Sequence, residues 1–178
     1  MKRIFTYFTC ILFLASCKKE VNELPTPTQT GANTFGAKVN GAFWVPQGLG
    51  SIPANDKLES LLFPNGDLRI IAKNIASSPN ESEFDMFIAG ITGPGTYSLN
   101  NNVSYPQLLK SFGYFVKRKL TPSNEWITSS TNTGTVTITR FDPANHIVSG
   151  TFQFNAGSLY TPGDILLVTE GRFDLTTQ

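Results

Sequence analysis

The stretch from Gly134 to Phe154 constrains the fold more than any other part of the chain. Thr135–Phe141 alternates threonines with Val136 and Ile138, the signature of a strand with one buried and one polar face, because side chains on a strand alternate sides. Asp142-Pro143-Ala144-Asn145 follows as a turn, with the fixed φ of proline suited to its second position. Ile147–Phe154 then returns with Val148, Gly150, Phe152 and Phe154 on one face. Ile165–Leu175 reads as the third strand of the same hairpin series.

The rest of the domain has the same texture. Phe35–Val39 and Ala42–Val45 flank Asn40-Gly41, a hairpin signal because a type I′ turn needs positive φ at both central residues. Ser60–Phe63 and Asp67–Ala72 repeat the pattern around Pro64-Asn65-Gly66, and Glu83–Ile91, Gly95–Leu99, Phe112–Leu120 and Trp126–Ser129 are further strand candidates. Two short helices are also expected, one capped by Asp56 and Glu59 and running through Leu62, the other over Gln107–Lys110. Many short strands punctuated by turns predict an all-β fold, an antiparallel β-sandwich or a flattened β-barrel built from consecutive hairpins.

Residues 1–16 carry a different signal. Lys2-Arg3, the apolar run Ile4–Leu14 and Ala15-Ser16 form the basic, apolar and small-residue regions of a secretory signal. The run is too short to span a bilayer, which takes about 20 apolar residues. Leu14-Ala15-Ser16-Cys17 resembles a lipobox, which predicts acylation of Cys17 and anchoring to membrane lipid through two or three chains. Cys10 would leave with the signal and the sulfur of Cys17 would be blocked, so no disulfide and no thiol nucleophile are expected. Lys18–Asn33, broken by Pro25, Pro27 and Gly31, reads as a flexible tether, and residues 34–178 as a single all-β domain. Loss of Lys2 and Arg3 leaves the side-chain charge close to zero, which argues against nucleic acid as the partner. The expected location is the outer membrane, facing the periplasm or the cell surface. Lys18-Lys19-Glu20 supplies a single acid behind the cysteine and leaves both faces open.

Four stretches carry a family resemblance: Thr34–Gly41 with Trp44, Gly134–Asp142, Ile147–Phe154 and Glu170–Asp174. They resemble small Bacteroidota lipoproteins carrying a C-terminal β domain of unknown function. The resemblance implies an extracytoplasmic lipoprotein and brings no catalytic residues with it.

Chemistry-bearing patterns are sparse. His146 is the single histidine and falls in a turn, so neither a metal site nor a Ser-His-Asp arrangement is expected, and no cofactor is implied. Gly93-Pro94-Gly95 reads as a turn, since proline removes an amide donor and no helix follows. Glu81, Glu83, Asp85, Glu125, Asp164, Glu170 and Asp174 are scattered, with Arg172 and Asp174 sharing a strand face. Ile70/Ile71, Met86/Phe87 and Tyr114/Phe115 make their strands apolar on both faces. The second face is expected either to lie under a loop such as Asn100–Leu109 or to be an exposed binding patch. Trp44, Tyr105 and Trp126 are the candidate ligand contacts for such a patch, as rigid aromatic area. The expected function is a non-enzymatic binding or accessory module for a glycan, an apolar small molecule or an envelope protein. The alternatives are a structural domain pairing through a strand edge and a carboxylate-based glycosidase.

Overall fold

The computed structural model describes residues 20–48, 57–76, 80–118 and 124–178; the signal, Cys17 and Asp56 lie outside them. The first half contains β1 (Thr34–Val39), β2 (Ala42–Trp44), β3 (Leu58–Leu62), β4 (Leu68–Asn74), β5 (Glu81–Ile88) and β6 (Gly95–Leu99). The second contains β7 (Phe112–Arg118), β8 (Glu125–Ile127), β9 (Gly134–Asp142), β10 (Ile147–Ser158) and β11 (Ile165–Thr176). Among the described residues, the named strands all pair antiparallel within one sheet, ordered β2-β1-β11-β10-β8-β7-β5-β4-β3. The expected all-β fold is present, as a curled half-barrel. β10 spans 12 residues and holds β9 along Ile147–Phe154 and β8 at Gly157 and Ser158. β6 is added outside β9.

Hydrogen bonds outside the ladders tie the sheet's far strands together. The Gln178 N–H donates to the Ser60 carbonyl, and the Leu62 N–H donates to the Gln178 carbonyl, linking the end of the chain to β3. Gln47, just beyond β2, exchanges bonds with Lys73 and Ile75 at the end of β4.

The local turn chemistry is as the sequence dictates. Asn40 and Gly41 both adopt positive φ, 48° and 82°, so Ala37 and Lys38 face Trp44 and Phe43 across the hairpin. Asp142 caps a short 3-10 turn over Pro143–Asn145, and His146 closes it in the left-handed region, exposed to solvent. Among the described residues, neither expected helix is present. Leu58–Leu62 is β3, paired to β4 throughout, since ladder bonds outweigh a weak cap. Gln107–Lys110 is irregular.

The concave side is filled by one large cluster. Phe35, Phe84 and Phe152 meet there, with Trp44 packed edge-on to Phe84 at 4.7 Å and Phe115 at 4.8 Å from Phe84. Val136, Ile138, Val148 and Phe154 deliver the predicted inward faces of β9 and β10. A second cluster lies on the convex side of β5, β7 and β8, where Phe87, Phe112, Tyr114, Val116 and Ile127 are buried under Val103, Tyr105 and Leu108. The expected loop cover is therefore in place over the strands of Met86/Phe87 and Tyr114/Phe115, while Ile71 of β4 lies outside this cluster.

Candidate functional site

The convex face of β6, β9, β10 and β11 carries regular cross-strand rows of polar side chains. Thr96 pairs with Thr137, Thr137 with Thr151, and Thr151 with Arg172. Beside it, Ser98 pairs with Thr135 and Thr135 with Gln153. The rows follow from alternation: Val136, Phe152 and Phe154 point into the core, so their neighbours must point out. On β11 the register with β10 shifts between Phe152 and Phe154, placing two residues, Thr169 and Glu170, against Gln153. Glu170 sits there at φ 53°. This bulge turns Glu170 to the rim of the face, where it accepts from Lys38 at 2.6 Å.

A groove of about 370 Å³ runs over this face, lined by Pro27, Thr135, Thr137, Thr151, Gln153, Glu170 and Arg172. Thr96 and Thr137 share a hydrogen bond at 3.2 Å. Among the described residues, the side chains of Ser98, Thr135, Thr151 and Gln153 have no protein partner. Arg172 donates only long bonds of 3.4 Å, to the carbonyls of Glu170 and Pro25, and forms no ion pair among the described residues. The face thus presents free hydroxyl and amide groups, with a weakly held guanidinium beside them, at strand spacing.

One wall of the groove is the N-terminal segment, held by Asp174. Its carboxylate is 1% exposed and accepts from the Thr28 hydroxyl at 2.6 Å, from the backbone of Thr30, Gly31 and Ala32, and from the Ser149 hydroxyl at 2.7 Å. Burial pushes this carboxyl up, but the donors from Thr28, Thr30, Ser149 and Gly31 outweigh it and hold the group well below the usual carboxylate range. The end of the stretch read as a tether is therefore bonded to β11 from Thr28 onward. Arg172 and Asp174 share a face as expected but do not bond each other; Arg172 reaches Pro25 and Asp174 reaches Thr28–Ala32.

The aromatic candidates are not brought together. Trp44 is buried on the concave side, its Nε1 donating to Ser82 at 2.8 Å. Trp126 is buried at β8, its Nε1 donating to Asp164 at 3.0 Å. Tyr105 lies half-buried in the covering loop, stacked on Tyr114 at 3.9 Å and donating to Asp85 at 3.1 Å. None of the three lines the groove. The polar residues that do were legible only as the outward half of a strand pattern, in Thr135, Thr137, Thr151 and Gln153.

Most of the scattered acids are occupied. Asp85 is fully buried and takes a two-pronged bond from Arg69 at 2.7 and 3.1 Å. Burial, reinforced by Asp85, pushes the Tyr105 phenol well above its ordinary range, so it remains a donor. Burial and the bond to Glu125 do the same to Tyr114. Glu83 holds Arg118, and Glu125 holds Tyr114 and Tyr160. No group of three or more metal-binding side chains gathers among the described residues.

A family model described as "Domain of unknown function (DUF6252)" matches residues 63–174. The chain belongs to this family. The match takes in β6, β9, β10 and β11 as far as Asp174, and leaves β1 to β3 and the clasped segment outside it. Searches of curated proteins and of solved structures found no match.

Proposed function

We propose that this member of the family is a lipid-anchored lipoprotein of the Bacteroidota type. It is exported on residues 1–16, acylated at Cys17 and held at the outer membrane. It acts as a non-enzymatic binding module for a polyhydroxylated ligand, a glycan segment lying across β9, β10 and β11. The observation that carries this reading is the pair of rows Thr96–Thr137–Thr151–Arg172 and Ser98–Thr135–Gln153, polar side chains about 4.8 Å apart across strands, of which Ser98, Thr135, Thr151 and Gln153 have no protein partner among the described residues. A polar ligand with many hydroxyls satisfies such an array, and an apolar molecule leaves it unpaired.

The test is titration of the purified lipoprotein with oligosaccharides from the envelope and surroundings of the producing cell. Thr151→Val and Gln153→Ala remove groove groups without touching the core. Each is expected to weaken binding about tenfold, equivalent to about 1.4 kcal/mol. Binding that both variants leave unchanged would move the ligand elsewhere. Lipid labelling that survives Cys17→Ala would remove the anchor, and protease shaving of intact cells reads which face of the membrane the domain occupies.

A second reading has its own support. Besides its ladder with β9, β6 makes no backbone bond among the described residues, so a partner strand could extend the sheet there. Cross-linking from Thr96 to an envelope protein, with no oligosaccharide binding, would favour it.

A further inference from the structure

Among the described residues, five of the seven exposed large apolar side chains gather at one end of the sheet: Phe43, Leu159, Tyr160, Ile165 and Leu167. Phe63 and Leu109 lie elsewhere. The cluster follows from register. The Asn40 N–H donates to the Leu167 carbonyl at 2.8 Å and its side chain accepts from the Leu167 N–H at 2.8 Å, so the β1–β2 turn abuts β11. Ile165 pairs with Gly157, and Leu159 and Tyr160 begin the turn between β10 and β11. Leu166 and Val168 fill the inward face of this part of β11, so Ile165 and Leu167 stand on its outward face, each about half exposed. Apolar side chains grouped on an outer surface mark an interaction or membrane site.

The N-terminal segment runs toward the same end. Gly31 bonds Thr176, Thr28 and Thr30 bond Asp174, and Pro25 accepts from Arg172. Going backward along the chain, each contact lies farther along β11 toward Ile165. From Arg172 to Leu167 the strand covers about 15 Å; Leu24 still lies against Gly36, the residue paired with Arg172, and the stretch from Leu24 back to Cys17 can reach about 25 Å. An acylated Cys17 therefore comes within range of the apolar end.

We propose that this end of the domain rests on the bilayer surface, with Phe43, Ile165, Leu167, Leu159 and Tyr160 entering the headgroup–acyl boundary. Apolar residues buried at that depth bind in proportion to the area they remove from water, and the tyrosine leaves its hydroxyl in the wet layer. The β9–β10 turn then points away from the membrane, with the groove face standing on the domain's flank. The inference rests on the anchor reading above and goes beyond it in fixing the domain's orientation.

The test uses the full chain, made in a bacterium that processes lipoproteins and reconstituted into vesicles of phosphatidylethanolamine and phosphatidylglycerol with brominated acyl chains. Leu167→Cys and Ala144→Cys each receive an environment-sensitive thiol dye. Ala144 is exposed and lies at the opposite end of β10. The dye at position 167 is expected to shift to the blue and to be quenched several-fold more than at 144. Phe43→Cys repeats the reading from a second position, should Leu167→Cys fold poorly. Equal quenching at both ends in vesicle-bound protein overturns the docked orientation and leaves the anchor standing. Dye incorporation at Cys17, with protein free of the vesicles, overturns the anchor and the orientation with it.

Discussion

Asp174→Asn should loosen the N-terminal segment while leaving the sheet intact. One carboxylate oxygen accepts from Thr28, Thr30 and Ala32, and the other from Gly31 and Ser149. An asparagine oxygen can replace only one of them. Placed toward Thr28 and Thr30, it leaves the amide NH2 facing the Gly31 N–H, at a position now 2.8 Å from the acceptor. The Ser149 hydroxyl can rotate to accept; a backbone N–H cannot. A stranded buried donor costs about 1–3 kcal/mol, and losing charge assistance in the remaining bonds about 1 kcal/mol more. The expected total is about 3 kcal/mol, about 6–12 °C in Tm for a domain of this size. The cost has a ceiling, because the segment can peel away and rehydrate.

The pH dependence makes the reasoning refutable. With its folded pKa depressed, Asp174 contributes its stabilisation in full above the unfolded aspartate value of about 3.9. That contribution is lost as pH falls through the folded value. The gap between wild type and Asp174→Asn should therefore be largest at pH 7 and narrow steadily below about pH 4. Thermal unfolding across that range, with amide hydrogen exchange at Thr30, Gly31 and Ala32, checks both parts. A Tm change under about 2 °C at pH 7, or a gap independent of pH, would refute the clasp. So would unchanged exchange at those three amides.

Two further outcomes follow from the packing. Tyr105→Phe keeps the stack on Tyr114 and loses only the bond to Asp85, so it should cost about 1 kcal/mol in urea unfolding; Tyr105→Ala uncovers Phe112 and Tyr114 and should cost about 3 kcal/mol with new binding of an apolar dye. Gly134→Ala would place a Cβ 2.2 Å from the Phe154 Cβ and 2.6 Å from the Gln153 carbonyl oxygen, forcing β9 off β10, and should lower the urea midpoint by the equivalent of about 2–3 kcal/mol.

Local chemistry wrote most of the strands into the sequence. Asn40-Gly41 fixes its hairpin because the turn's backbone twist selects those residues, and the alternation in Thr135–Phe141 and Ile147–Phe154 fixes which side chains enter the core. The two-faced strands β5 and β7 were legible as needing a cover, and Val103, Tyr105 and Leu108 supply it. The errors came where local signals compete with distant partners. Leu58–Leu62 carries a helix cap and yet is held by β4. Trp44 and Trp126 are rings that sequence alone cannot assign to core or surface, and Ser82 and Asp164, each 38 positions away, take their N–H groups.

What the sequence determined by itself was thus the all-β class, the main hairpins and the inward face of each. Tertiary structure decided the rest. Asp174 reads as an ordinary strand-face acid, and only the fold brings residues 28–32 against it from more than 140 positions away. The threonine rows are set by register among four strands, and the bulge at Glu170 by one inserted residue on β11. The apolar end is made by two turns that meet through Asn40 and Leu167. The physical reason is separation: turn and pleat preferences act between neighbours in the chain, while clasps, rows and patches exist only after distant strands have been paired.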